Sequence, residues 1–254
     1  MSTVSREFAV GDRPEVAVTI TSADVSIDEG EPGTIMIAAE GSDSDLEQLI
    51  VMQTGDVISV SAQKGGRRWG RGSLKIRVVV PPETSVGAKA ASGDIRILGP
   101  VCDVAVETSS GDIHLASFDG RARLKTSSGD LTVGSAVGGL QVASASGDIR
   151  VDSIDGDLVA RTASGDVSIG SAEGSVTIKS ASGDVAVRRF SGVRFDGSAL
   201  SGDFVIGLVP GMSIDADFQT RSGSFRNLAP AGTGERTIDA TMRIKTMSGD
   251  ITLR

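Results

Sequence analysis

Ser146-Gly-Asp-Ile-Arg-Val-Asp-Ser-Ile-Asp-Gly-Asp-Leu-Val-Ala-Arg-Thr-Ala163 is one unit of a repeat that organises the whole sequence. Ser-Gly-Asp opens it, and the same triplet starts at Ser92, Ser110, Ser128, Ser146, Ser164 and Ser182, each eighteen residues after the last. Beyond Ser182 the spacing loosens, with Ser201-Gly-Asp, a variant Ser222-Gly-Ser and finally Ser248-Gly-Asp. A fixed period of this kind decides the fold before any local propensity does.

Within each unit an aliphatic follows the Asp directly and another stands two positions on: Ile95 and Ile97, Ile113 and Leu115, Leu131 and Val133, Ile149 and Val151, Val167 and Ile169, Val185 and Val187. That is a short alternating strand. Nine residues after the Ser-Gly-Asp glycine comes a second one (Gly120, Gly138, Gly156, Gly174, Gly192), followed by a second aliphatic pair such as Leu140 and Val142 or Val176 and Ile178. The residues between the aliphatics (Arg96, His114, Thr132, Arg150, Ser168, Ala186) change freely and are expected to face outward.

One such strand cannot bury its apolar face alone, whereas stacked units give a continuous aliphatic interior. The expected fold is therefore all-β: a single-stranded β-solenoid, or β-helix, with eighteen-residue coils and a right-handed winding. Glycine at 33 of 254 residues, nearly twice its usual share of about 7%, serves tight corners. Small residues at Ser109, Ser127, Ala145, Ala163 and Ala181 are expected to fill those corners. Aromatics at 3%, with no tyrosine and one tryptophan, suit a narrow interior. Two other eighteen-residue coils fit poorly. The hexapeptide helix needs an aliphatic six past Ile113 and Ile149, where Asp119 and Asp155 stand. The calcium-binding nonapeptide roll needs an Asp in every half-repeat, but Arg121, Gly139, Ser175 and Val193 occupy the second half.

Residues 1–90 carry the same grammar in worn form, as in Ser22-Ala-Asp-Val-Ser-Ile27 and Thr54-Gly-Asp-Val-Ile58, and read as an irregular β region capping the solenoid; residues 91–254 read as the regular repeat continuous with it. Five of seven phenylalanines (Phe190, Phe195, Phe204, Phe218, Phe225) fall where the repeat loosens, and are expected to fill wider coils there. The final Ser248-Gly-Asp-Ile-Thr-Leu-Arg254 is a complete strand signal, expected to leave an open edge for head-to-tail pairing with another copy.

A net charge of −8 argues against a surface built for nucleic acid. No run approaches the roughly 18 apolar residues of a membrane span. The N-terminus lacks the pattern of a signal peptide, so a cytoplasmic location is expected. Cys102 is the only cysteine and His114 the only histidine, the first read as a corner residue and the second as a surface one. No catalytic residue, metal centre or cofactor is expected. Stacking would bring Asp94, Asp112, Asp130, Asp148, Asp166 and Asp184 into one column at the strand spacing of about 4.8 Å. Each carboxylate either accepts backbone N–H bonds in its own turn or joins a row holding cations such as Ca²⁺. Asp152, Asp155 and Asp157 form the nearest thing to a carboxylate cluster, of the kind used by polysaccharide-cleaving β-helix enzymes or carbohydrate binders. Those sites also need aromatic platforms, which these coils lack.

Charge is polarised in the first third. Thr21 to Asp56 holds nine acids and no base, while Val57 to Pro82 holds six bases and no acid. Its centre is Lys64-Gly-Gly-Arg67-Arg68-Trp69-Gly-Arg71-Gly-Ser73. Arg67, Arg68, Trp69 and Arg71 could dock a protein partner, since Trp and Arg dominate interface hot spots; otherwise the segment is a plain hairpin loop.

The tandem Ser-Gly-Asp-Ile-x-Val and Gly-x-Leu-x-Val units, preceded by Val78-Val-Val-Pro-Pro-Glu-Thr84, resemble the bacterial adhesin-like family of β-strand repeat-containing proteins (domain of unknown function 4097). The resemblance implies a β-solenoid without established enzymatic activity. Together with the residue reading, it points to a non-enzymatic scaffold for protein–protein interaction or self-assembly.

Overall fold

Alternation of aliphatic and polar residues makes strands of six to eight residues through most of the repeat, and the Ser-Gly-Asp corners separate them. A computed structural model of the chain describes residues 2–62, 74–229 and 238–254. These fall into two compact units, residues 1–126 and 127–254.

In the first unit the strands are β1 (Ser2–Ala9), β2 (Glu15–Ser22), β3 (Asp24–Glu29), β4 (Thr34–Gly41), β5 (Leu49–Thr54), β6 (Val57–Ala62), β7 (Lys75–Val80), β8 (Ser85–Ser92), β9 (Ile95–Ile97), β10 (Val104–Ser110), β11 (Ile113–Phe118) and β12 (Arg121–Ser128), with one short helix, α1 (Asp43–Glu47). They form two sheets, ordered β1-β4-β7-β3-β9-β11 and β12-β10-β8-β2-β6-β5. The worn repeat at Ser22–Ile27 is a full rung: Val25 pairs with Ile95 and Ile27 with Ile97, in parallel. On the other sheet β2 pairs with β8 from Glu15–Ser85 to Ser22–Ser92. The chain between β3 and β8 leaves the ladder and returns to extend both sheets, partly in antiparallel fashion. β4 pairs antiparallel with β1 and β7, and β5 with β6. Thr54-Gly-Asp is accordingly a hairpin turn joining β5 to β6, with Gly55 at φ 60°, and not a solenoid corner.

The second unit contains β13 (Leu131–Ala136), β14 (Gly139–Ser146), β15 (Ile149–Ile154), β16 (Leu158–Ser164), β17 (Val167–Ala172), β18 (Val176–Ser182), β19 (Val185–Phe190), β20 (Arg194–Ser201), β21 (Phe204–Leu208), β22 (Met212–Ser222), β23 (Phe225–Asn227), β24 (Ile238–Ser248) and β25 (Ile251–Leu253). Its two sheets run β13-β15-β17-β19-β21-β25-β23 and β22-β24-β20-β18-β16-β14. Their strands pair in parallel: Ile149 lies between Leu131 and Val167, and Leu158 between Leu140 and Val176. The result is all-β and solenoid-like, with long parallel ladders and an aliphatic interior in which Ile149, Leu158, Ala160, Val176 and Ile178 are each 1% exposed or less.

Two expectations change in position. The corner-filling residues are Thr108, Thr126, Ser144, Thr162 and Ser180, whose hydroxyls are buried, while Ser109, Ser127, Ala145 and Ala163 are exposed. Strand parity explains the offset, because Leu124 and Thr126 share the inward face and Ser127 takes the outward one. The chain's last strand is not an open edge either. β24 and β25 lie between β20–β21 and β22–β23, so Ser248–Leu253 is paired on both sides and the free edges belong to β22 and β23.

Phe190, Phe195 and Phe204 are fully buried, and the first two meet edge to face at 5.6 Å. Gly197 makes room for them, since a Cβ there would stand 2.7 Å from the Phe204 ring. Phe218 and Phe225 touch each other at 5.0 Å, but Phe218 is only partly buried and Phe225 is exposed. Among the described residues no helix is long and apolar enough to cross a membrane.

Candidate functional site

The Arg67, Arg68, Trp69 and Arg71 segment lies outside the described residues. Residue 74, the first described after it, leads into β7. There β4, β7, β3 and β9 stand side by side, and their register builds two outward rows. Glu40, Lys75 and Asp24 form one; Ala38, Arg77, Ser26 and Arg96 form the other. Long charged side chains rise around the small Ala38, Ser26 and Thr3, leaving an open groove of about 400 Å³.

The cations are held by weak local ties. Arg77 Nε donates to Asp28 Oδ2 at 2.6 Å and an Arg96 Nη2 hydrogen to Asp94 Oδ2 at 2.7 Å. Both arginine side chains are more than half exposed. Exposed ion pairs are worth only about 0–1 kcal/mol, so an arriving carboxylate or carbonyl can exchange with either partner. Sequence reasoning missed this groove because it depends on β4 and β7 being threaded beside β3, a pairing between distant segments. The one available signal was the Lys75-x-Arg77 alternation, which puts two bases on the outward face of a strand.

The aspartates named in the sequence form ladders within each unit. In the first, Asp24 Oδ1 accepts from the Asp94 N–H and Asp94 Oδ1 from the Asp112 N–H, both at 3.1 Å. In the second, Asp130, Asp148, Asp166 and Asp184 each accept from the backbone N–H of the next rung's Asp, at 2.8–2.9 Å. The series continues through Asp203 to Asp250, whose Oδ1 accepts from the Ser224 N–H at 2.8 Å. The bond thus goes to the neighbouring coil rather than the carboxylate's own turn. A residue with positive φ directly before the Asp turns its N–H along the stack, toward the carboxylate below. Neighbouring charges at about 4.8 Å repel by about 1 kcal/mol in water, and a charge-assisted hydrogen bond of about 1.5–3 kcal/mol exceeds that.

Ser224 shows what the sequence could have said about the stack. It stands where other rungs have Asp, on the rung that has no further neighbour to receive an N–H from. The Ser222-Gly-Ser variant therefore marks the edge coil.

The ladder draws down Asp250: the Ser224 backbone N–H first, and the Ser224 hydroxyl after it, hold this carboxyl below its ordinary value. Glu107 is held low by the hydrogen bond from Lys125 Nζ at 2.9 Å and by that ammonium's charge. At Cys102, burial raises the thiol pKa and the Asp103 and Asp119 carboxylates raise it further, which disfavours the thiolate a nucleophile needs.

Asp152, Asp155 and Asp157 are all exposed. Asp157 Oδ1 accepts from the Ser175 N–H at 3.0 Å, a brace in the second corner that Asp103 repeats with the Arg121 N–H at 2.7 Å. His114 sits on β11 opposite Arg96, partly exposed. Among the described residues no three His, Cys, Asp or Glu side chains converge as a metal site.

Comparison with known proteins places this architecture. A Bacteroides fragilis structure described as a "putative adhesin" shares 15% identity over 100% of this chain and 97% of its own, with a TM-score of 0.53. A Parabacteroides distasonis structure described as a "putative lipid binding protein" also shares 15% identity, over 99% and 96% of the two chains, with a TM-score of 0.50. Identities this low speak for the fold alone. A comparison with curated proteins gives no match. The profile of the family described as Toastrack DUF4097 matches residues 14–254, nearly the whole repeat and its worn first rung, and the chain belongs to that family.

Proposed function

We propose that this protein is a non-enzymatic, adhesin-like scaffold that works by binding other proteins, with the groove over β4, β7, β3 and β9 as its contact surface. The observation that supports this is the groove itself: small side chains beside Arg77 and Arg96, whose ion pairs are exposed enough to change partners, with Lys75 set between Asp24 and Glu40 in the adjoining row. An extended polypeptide with carboxylates fits such a surface, because its backbone lies over Ala38 and Ser26 while its acids meet the guanidinium groups. Arg67, Arg68, Trp69 and Arg71 stand a few residues before Lys75 in the sequence, and this reading takes them as a second contact to be tested with the groove. In this reading the winding is right-handed with one turn per eighteen-residue repeat, and the aspartate ladder is structural.

The test is cross-linking and affinity capture from cells that make the protein, comparing the intact chain with Lys75→Ala/Arg77→Ala/Arg96→Ala and with a quadruple alanine change at Arg67, Arg68, Trp69 and Arg71. A partner retained by the intact chain and lost from the groove variant supports the reading. Equal capture by all three, or turnover of an acidic polysaccharide that Asp155→Asn abolishes, overturns it.

A further inference from the structure

The coil of β22 and β23 presents a core face that, among the described residues, nothing stacks upon. Its register makes this plain. Ile214, Ala216 and Phe218 align with Ala240, Met242 and Ile244 of β24, and Phe225 aligns with Ile251 of β25. Those four partners are 5% exposed or less, whereas Phe225 is 48% exposed and Ala216 is exposed as well. Between the two strands opens a recess of about 460 Å³, lined by Ile214, Phe218, Phe225 and Leu253 among others. The backbone is equally unfinished, since the eleven residues of β22 are paired on one side only. Solenoids need a polar cap on a terminal repeat, and edge strands need a charge, proline or bulge to turn neighbours away. Here the stacking face of the coil carries Phe218, partly buried, and Phe225, exposed.

The outward-facing residues of β22 identify the occupant. Asp215 and Arg221 are both exposed and lie six residues apart, with Phe218 midway. An antiparallel copy of the same strand, related by a two-fold axis at Phe218, sets Asp215 against Arg221 of the second copy, and does so twice. The same register puts Ala216 against Thr220 and Phe218 against itself, so core-facing residues meet core-facing residues. Neither free edge of the first unit could do this, because β1 and β5 carry no acid and base six residues apart.

We propose that two copies of this chain associate through β22 and β23 in an isologous, antiparallel pairing that closes both aliphatic interiors over the Phe218 and Phe225 rings. Such a contact is self-limiting and yields dimers, whereas a head-to-tail edge would grow into filaments. The proposal rests on the scaffold reading only in taking the protein to act by contact, and it involves none of the groove residues.

The experiment is sedimentation velocity of the full chain across a range of concentrations, with Asp215→Arg, Arg221→Asp and the double exchange. Both side chains are exposed, and circular dichroism checks that each variant is folded. The intact chain should be a dimer. Each single change replaces two attractions by two repulsions and should weaken dimerisation by about tenfold or more, while the double exchange should restore it. An equimolar mixture of the two single variants should form a heterodimer, because each then carries what the other lacks. A monomer at every concentration, species that grow beyond a dimer, or a dimer indifferent to all the changes would each overturn the proposal. Failure here leaves the groove untouched, and loss of partner capture at Lys75, Arg77 and Arg96 leaves this test unaffected.

Discussion

Replacing Gly165 with alanine should damage this protein far more than the same change at a glycine with open space around it. Gly165 has φ 147° and sits on the Ser-Gly-Asp corner; a Cβ there would lie 2.2 Å from the Gly147 carbonyl oxygen and 2.8 Å from its carbon. Relief requires the two coils to part by about 1 Å, since a carbon and an oxygen touch near 3.2 Å. Parting stretches three bonds at once: Gly147 N–H to Ser164 O at 3.2 Å, Ile149 N–H to Asp166 O at 2.8 Å, and Asp166 N–H to Asp148 Oδ1 at 2.9 Å. Strain at such a φ costs about 1–3 kcal/mol and each lost bond about 1 kcal/mol. Against this, alanine restricts the unfolded chain and returns about 0.4–1 kcal/mol. The net loss is about 3–5 kcal/mol. Gly139 is the control, because a Cβ there meets nothing within 4 Å and it lies at the start of β14. Gly139→Ala should be neutral or stabilising by up to about 1 kcal/mol. Urea titrations followed by far-ultraviolet circular dichroism would compare the two midpoints. If Gly165→Ala fell within about 1 kcal/mol of Gly139→Ala, the claim that glycine is there for coil-to-coil approach would be wrong.

The buried hydroxyl column offers a paired test. Thr162 Oγ1 has no hydrogen-bond partner among the described residues, whereas Thr246 Oγ1 donates to Ser248 O at 3.2 Å. Thr162→Val should therefore stabilise by about 1 kcal/mol and Thr246→Val should destabilise by a similar amount, and thermal melts giving the opposite order would refute the assignment. The depressed Asp250 carboxyl makes stability pH-dependent: its folded value lies below its unfolded one, so its contribution is present above about pH 4 and is lost as pH falls through the folded value. Asp250→Asn should flatten the acid limb of a stability–pH profile, and an unchanged limb would deny Asp250 that role. Because the ladder carboxylates already accept backbone N–H bonds, millimolar Ca²⁺ should leave the melting midpoint where it is. A clear rise that Asp148→Asn/Asp166→Asn removes would instead establish a cation row.

The repeat was legible because two periods coincide in it: alternate residues point inward along a strand, and whole strands recur at the corners. Ile149, Leu158 and Val167 could be assigned to the interior from spacing alone, and Asp24 could be recognised as a rung despite the broken triplet around it. The corner filler was misplaced by one residue, at Ala163 and not Thr162, because the alternation was counted from the small side chain rather than carried through from Leu158 and Ala160. The groove and the order of the closing coils were not legible for a different reason. Both depend on which distant strand lies beside which, and alternating strands such as β22 and β24 carry no signal of which one is the neighbour of β20. Ser224, lacking the carboxylate that Asp203 and Asp250 use, distinguishes the outer coil from the inner one.

The insertion of β24 and β25 has a consequence for how the molecule is made. A ladder that grew in order of synthesis would lay β22 directly on β20, in the parallel direction both share, and would bury Phe218 there. The native arrangement instead keeps the place beside β20 and β21 for the later segments β24 and β25. Until residues 238–253 have been synthesised, β22 and β23 lack the strands they pair with in the native ladder. Seating β24 and β25 there closes a loop around a whole coil, a longer-range step than laying each coil on the one before it, so this end of the ladder should form after the regular rungs.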